Sequence, residues 1–536
     1  MKKIYRKIFF SLIISTILTL AFYFGFKVND EAYHEKMLAY SVLDFIIPLT
    51  IILISTFIIY FILNLNIKLK EDKENNLKRW HIFLPLELLS VVLLLYIFPG
   101  YFPADAVTMY ESFLSGEYTT HFSPFITFLL GIFISFGKLV DNANTGHALF
   151  ILFQFTIVNI ALTETIFYCS TKIKKKSFAI ISTIFFFIHP LVQILQIRSG
   201  QDTIFGGIFL LICLEFLKIA EGNYEFKKKK FTLFFALVFL LCITRNNGIY
   251  TIIPVLLFSF IAIKEKIIRK KLLAALLLPI FVFFGYKFIL INNIVTEKDS
   301  FFLETLNVPV MQIARATSRN DKYVDELERY FNYDCKMWRR EKFSWEEYDA
   351  ASGISDPYKN CMKTEEIEKD PLAFLNLWAK IGIENPVQYF EAPLFLTLGL
   401  YYPFMPYNST VTQPNPQWHA YIDSYISVYY ESGINTSCTN LEVGEFMNDE
   451  FYHQKWSKVP VLNQLWRAPF TFFLCIITVI LCFYRKKYNY LLPLAFIFGL
   501  IITVALSPVI LFRYLLPAVL CTPIIVYILF KIHLVK

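Results

Sequence analysis

The chain has 536 residues, 56% of them hydrophobic and only 18% charged, against about 25% charged in soluble domains. The apolar surplus falls in runs of bilayer length, roughly 20 residues each, which excludes a soluble globular fold. The net charge of +8 does not point to nucleic acid, because the basic residues stand beside apolar runs, as the positive-inside rule requires.

From the N-terminus, a basic start (Met1–Lys7) runs into apolar Tyr5–Phe26. No small-residue cleavage site follows, so this reads as a first membrane helix rather than a signal peptide. Val42–Leu65 completes a hairpin. Basic clusters at Lys68–Arg79, Lys172–Lys176, Lys227–Lys230, Lys264–Lys271, Arg485–Lys487 and Lys531–Lys536 mark further cytoplasmic loops, and an even number of crossings must separate neighbouring clusters. Phe178–Ile197 with Thr203–Ile219, the short-armed pair Phe231–Thr244 and Ile249–Ile263, and Tyr490–Pro508 with Leu511–Phe530 satisfy this directly.

Two intervals hold three apolar segments each. In the first (His81–Phe98, Pro124–Phe136, Ala148–Cys169) the middle segment is expected to lie along the outer leaflet. In the second (Leu272–Leu290, Ala392–Tyr402, Ala468–Tyr484) the middle one is too short to span and is expected to be a buried or interfacial helix. The fold class is therefore an all-α polytopic membrane protein of about 12 transmembrane helices, with both termini cytoplasmic. Four parts are expected: an N-terminal hairpin and cytoplasmic loop (1–79), a core (80–291) whose first outer loop is 99–146, an extracytoplasmic mainly helical domain (292–467), and C-terminal helices (468–536). In the outer domain, Asp325–Trp338, Trp345–Ser352 and Thr364–Tyr389 have helical spacing. Of nine cysteines, six lie in or beside apolar helices; Cys335, Cys361 and Cys438 lie in the outer domain, where one disulfide would leave one thiol over. Asn408 and Asn435 open N-x-[ST] sequons.

Four groups of residues could carry chemistry. Asp105 follows Pro99-Gly100 a few residues after a helix reaches the outer face, and His121 stands just before Pro124. Such a carboxylate can accept a proton from a hydroxyl presented at the membrane surface; it can equally N-cap a helix beginning at Ala106. Arg198, Arg245 and Arg513 sit at the outer ends of different helices, against the usual inward bias. Their planar forks suit phosphate or carboxylate, although snorkelling or pairing with acids such as Asp202 also accounts for them. Asp202 can cap the next helix or join Asp105 around a divalent metal; His189 reads as a buried, hydrogen-bonded residue. Gln312 and Arg315 share one face of a helix, with docking of the outer domain as their structural role. No Walker loop, G-x-G-x-x-G, G-x-S-x-G or H-E-x-x-H occurs, which leaves nucleotide-fuelled and serine-hydrolase mechanisms without support.

Taken in order, Pro99-Gly100 to Asp105, His121 to Pro124, Gln201-Asp202, Arg245-Asn246-Asn247-Gly248, Val308–Arg315, Asn385-Pro386 to Pro403 and Phe512-Arg513-Tyr514 resemble bacterial multi-pass membrane proteins related to the GT-C glycosyltransferase superfamily. The resemblance covers roughly residues 80 to 530, outside the first hairpin. His121 departs from the commoner His-His-Pro or His-Pro-Pro form. The resemblance implies a GT-C-like bundle with interfacial helices in the bacterial inner membrane. It implies a polyprenyl-phosphate sugar as donor, membrane lipid as surroundings, and a glycan, lipid or protein as acceptor. Asp105 would be the catalytic base and Arg198, Arg245 and Arg513 the donor-phosphate ligands. His121, Asp202, Asn247, Gln312 and Arg315 would bind substrate or support the site. A divalent metal, Mg or Mn, would be held by Asp105 and Asp202 if one is used. The alternatives are a polysaccharide polymerase or ligase of another superfamily, which would not need the loop carboxylate; a transporter or flippase of lipid-linked glycans, for which an inverted repeat is missing; and a non-enzymatic scaffold.

Overall fold

The computed structural model describes residues 2–29, 41–64, 76–140, 142–222, 226–297, 305–317, 321–332, 355–359, 361–404, 459, 461–508 and 510–534. Helices dominate, as expected where no water is present to satisfy backbone polar groups and they must bond within the segment. Even Leu43–Ile62, crowded with β-branched isoleucines, is helical throughout. Among the described residues seven helices are long and apolar enough to cross a membrane, or nine if two bent pairs each count as one span. The chain is an all-α polytopic membrane protein.

Three of the twelve crossings that parity calls for fall short of this measure. Trp80–Tyr96 and Lys228–Thr244 have 17 residues each, and Asn246–Ala262 reaches 17 only by joining a 3₁₀ turn to an α-helix. At about 1.5 Å per residue the first two rise about 26 Å, and with about 2.0 Å per 3₁₀ residue the third rises about 28 Å, all less than a hydrocarbon core of about 30 Å. Thr364–Tyr389 is not one helix: Asp370-Pro371 and Asn385-Pro386 divide it into Thr364–Lys369, Pro371–Glu384 and a following helix from Pro386, as prolines at first helical positions do. The helix expected over Asp325–Trp338 ends by Leu327, after which Tyr330 and Phe331 form a turn. Its last part, Trp345–Ser352, Cys335, Cys438 and both sequons lie outside the described residues. Cys361 is disulfide-bonded.

Contacts divide the chain into two compact units. The first comprises Met1–Asn64, Ser300–Gln413 and Ile502–Phe512. Here the N-terminal hairpin packs on the helix Pro386–Leu396 and the segment after it: a Cβ on Gly25 would lie 2.4 Å from the Tyr402 ring, and Phe22 and Phe24 meet Phe404 and Phe390. Within the hairpin, Lys27 pairs with Asp44, which also accepts from Tyr23. Asn307 Nδ2 donates to the Leu506 carbonyl and Ser355 N–H to the Pro508 carbonyl.

The second unit comprises Leu65–Asp299, Pro414–Ile501 and Arg513–Lys536. Its centre is the 31-residue helix Ala143–Ile173, with Gln201–Ala220 and Pro124–Val140 against it. Glycines bring backbones into contact there: a Cβ on Gly146 would lie 2.3 Å from the Phe133 carbonyl, the close approach that small residues permit between membrane helices. The span after Lys176 breaks at His189-Pro190 with a bend of 66°. His189 is buried and its Nδ1 caps the short helix Pro190–Gln196, accepting from Val192 N–H at 3.4 Å. That break delivers the turn 197–200 to the site described next.

Candidate functional site

The loop after Trp80–Tyr96 is sutured to the 197–200 turn. Tyr101 N–H donates to the Ile197 carbonyl and Ser199 N–H to the Tyr101 carbonyl, both at 3.0 Å. Gly100 makes this approach possible. Its φ is +94°, and a Cβ would lie 2.2 Å from Ile151 Cδ1 and 2.9 Å from the Ile197 carbonyl, so both conformation and space call for glycine. From below, buried Gln154 donates to the carbonyls of Gln196 (2.8 Å) and Arg198 (2.7 Å). The Arg198 backbone is thus fixed from two sides.

Neither acid caps a helix. The helix after the loop begins at Ala104 with Pro103 as its cap residue, so Asp105 lies in the first turn. Gln201–Ala220 begins after Gly200, and Asp202 occupies the same second position. Proline fixes one start; a glycine in extended backbone makes the other. Both carboxylates then profit from the positive end of a helix dipole, and both face one guanidinium. Arg513, opening the helix Phe512–Leu520, pairs through Nη1 with Asp105. Its Nε lies 3.8 Å from Asp202 Oδ2 and is buried without a hydrogen-bond partner, and its Nη2 donates to the Tyr514 hydroxyl at 3.1 Å. Asp202 uses its other oxygen, Oδ1, to pair with Arg245, whose guanidinium lies 4.4 Å over the Tyr514 ring.

Asp105, Arg198, Asp202 and Arg513 line one open cleft with Met109 and Phe122. Arg245 stands one step behind, gripping Asp202. His121 is exposed, close enough for its charge to act on Asp105. The turn that carries His121 is fastened by Ser123, whose hydroxyl donates to the Ile243 carbonyl at 2.5 Å, and by Asn246, not Asn247, which donates to the Thr120 carbonyl at 2.9 Å. Burial works to raise the pKa of Asp105, but the Arg513 and Arg198 guanidiniums outweigh it and, with His121, hold the carboxyl down at about 2. More than a third of the side chain still faces the cleft (37%).

The pair expected as metal ligands does not fit a divalent ion. A guanidinium lies between Asp105 and Asp202, and among the described residues no group of three His, Cys, Asp or Glu side chains is placed to hold a metal. Gln312 and Arg315 belong to the other unit. There Gln312 accepts from Trp378 Nε1 (3.0 Å) and donates to the Tyr389 carbonyl (2.9 Å), while Arg315 forms a fully buried ion pair with Glu391 (2.6 Å) over the Phe395 ring. They hold Asn307–Thr317 on the helices Pro371–Glu384 and Pro386–Leu396.

Tyr514 and Gln154 are the residues without a role in the sequence reading. Gln154 had a signal: a glutamine inside an apolar helix must find a partner. Tyr514 had none beyond adjacency to Arg513. A model of a family of unknown function, DUF6020, matches residues 115–533. The chain belongs to the DUF6020 family. The matched span takes in Arg198, Asp202, Arg245 and Arg513 and begins after Asp105. No curated protein and no solved structure matches the chain.

Proposed function

We propose that this DUF6020 protein is a membrane glycosyltransferase of GT-C-like architecture, with about twelve crossings, that moves a sugar from a polyprenyl-phosphate donor to a glycan, lipid or protein acceptor on the outer face of a bacterial inner membrane. One observation carries the reading: an acid and two arginines from three distant parts of the sequence, Asp105, Arg198 and Arg513, line one cleft with Asp202, and Asp202 anchors the third arginine, Arg245. The disulfide at Cys361 is in keeping with an oxidising, extracytoplasmic compartment for the outer domain.

In the proposed reaction the acceptor hydroxyl gives its proton to Asp105 as its oxygen bonds to the anomeric carbon. The bond from that carbon to the donor phosphate oxygen breaks, its electron pair leaves with the polyprenyl phosphate, and the configuration inverts. Negative charge grows on the leaving phosphate, where Arg198 offers a preorganised donor and Arg513 a second guanidinium. Asp202 orients Arg245, and through Tyr514 that order extends to Arg513. No step runs through a metal. Purified Asp105→Asn in a reconstituted transfer assay is expected to lose about 10²- to 10⁴-fold in turnover. Near-normal turnover of well-folded variant sinks the base assignment.

A further inference from the structure

A base must be free to take a proton, and Asp105 is not: it is paired with Arg513. The same arginine has a second place to go. Its Nε is a buried donor without a hydrogen-bond partner, and Asp202 Oδ2 is 3.8 Å away. A shift of about 1 Å would bring that pair to hydrogen-bond distance. Asp202 is itself held by Arg245 through the opposite oxygen, so the second position is anchored. Three guanidiniums against two carboxylates leave one positive charge in excess, so an arriving anion competes with Asp105 for Arg513 rather than finding a neutral cleft.

We propose that Arg513 is a movable latch on Asp105: an anionic group entering the cleft draws the guanidinium off Asp105 toward Asp202 and itself, and leaves Asp105 free as a proton acceptor. The inference rests on the reading of the cleft as a phosphate site. It adds an order of events: the phosphate donor binds first and arms the base, and an acceptor that arrives alone meets a blocked carboxylate. It also separates the arginines by role. Arg198 is fixed through its backbone and Arg245 through Asp202, while Arg513 has two carboxylates in reach.

The test is binding of a polyprenyl monophosphate without sugar, in detergent, by microscale thermophoresis, with the uncharged polyprenol as reference. A carboxylate that competes for the ligand's arginine weakens binding, so Asp105→Asn is expected to bind the phosphate up to about tenfold more tightly than wild type. Arg513→Gln is expected to bind about tenfold less tightly. In the Arg513→Gln background, Asp105→Asn should change affinity by less than about twofold, because the competition has been removed. Asp202→Asn supplies a second measurement that needs no change at Arg513. It removes the alternative resting place, so affinity should fall, opposite in sign to Asp105→Asn. General charge repulsion predicts the same gain for both acids, and the same gain with or without Arg513; either result overturns the latch and leaves the phosphate site standing. If wild type prefers the phosphate no better than the polyprenol, the latch and the proposed function fall together.

Discussion

The Arg315–Glu391 pair decides whether the polar face of Asn307–Thr317 is structural or functional, and its energetics can be worked from the structure. Both side chains are out of solvent, with 2% and 0% of their surface exposed. Glu391 Oε2 accepts from Arg315 Nε at 2.8 Å and Nη2 at 2.6 Å, and the guanidinium lies 4.2 Å from the Phe395 ring centre. Removing one partner of such a pair strands the other charge, a loss of about 3–5 kcal/mol, whereas replacing both with apolar residues of similar volume is often neutral. Glu391→Gln keeps the shape and one acceptor oxygen, so its cost is expected near the lower limit, about 3 kcal/mol. Arg315→Met combined with Glu391→Leu is expected to cost less than either single change. Melting of detergent-purified protein followed by tryptophan fluorescence suits the question, since Trp378 hydrogen-bonds Gln312 on the same helix as Arg315. The reasoning fails if the singles cost under about 1 kcal/mol, or if the double variant costs their sum. If the double variant folds but no longer binds the polyprenyl phosphate, Arg315 serves the ligand and not only the packing.

Two further predictions concern the site. Gln154→Leu strips hydrogen bonds from the carbonyls of Gln196 and Arg198, so about 1–3 kcal/mol of stability should go, measured by the same melting assay, with phosphate affinity falling alongside as Arg198 loosens; a variant as stable as wild type would contradict the fixed placement of Arg198. The second concerns acid. The carboxyl of Asp105 sits below its ordinary value of 3.8 in the folded protein, so its stabilising contribution is fully present above that value and is lost as pH falls toward about 2. The melting difference between wild type and Asp105→Asn should therefore stay constant between about pH 7 and 5 and shrink on further acidification. A difference that widens in acid would mean that Asp105 is not held charged by its arginines.

The membrane class was legible because apolar runs and basic clusters are one-dimensional signals. Tyr5–Phe26, Thr203–Ile219 and Ala468–Tyr484 each lie within a helix of the structure. Breaks were harder to read. His189-Pro190 interrupts a run that stays apolar on both sides, so hydropathy passes over it although the path turns by 66°. At the site, residue type exposed the players: acids and arginines at the ends of apolar helices demand partners. Sequence could not assign the partners. Arg198 and Asp202 are four apart and invite pairing, yet Asp202 is paired with Arg245 and Asp105 with Arg513, contacts across 43 and 408 residues. Helix starts misled for a local reason: Asp is a good cap residue, but Pro103 and Gly200 already set the helix starts two residues earlier than a capping Asp would.

The rigidity of this site comes from the membrane side. Glu87, half-buried in Trp80–Tyr96, accepts from Thr156 Oγ1 (2.6 Å) and Asn159 Nδ2 (2.9 Å). Asn159 also reaches Ser90 (3.2 Å), and Ser90 donates to Gln196 Oε1 at 2.9 Å. Five residues earlier on the helix that carries Asn159, Gln154 takes the carbonyls at 196 and 198. In hydrocarbon such polar groups are expensive unpaired; the hydrogen bonds they make lock three helices in register beneath Arg198. A polar seam of this kind makes sense below a group whose work is to meet charge, because preorganised donors lose nothing to reorientation when the charge arrives. Arg513 is held differently. Its contacts are all to side chains, and one of its donors has no partner at hydrogen-bond distance. On the proposed reading, a site with one arginine fixed by its backbone and another suspended between two acids divides the labour: the first would give an incoming phosphate a defined position, and the second could respond to its arrival.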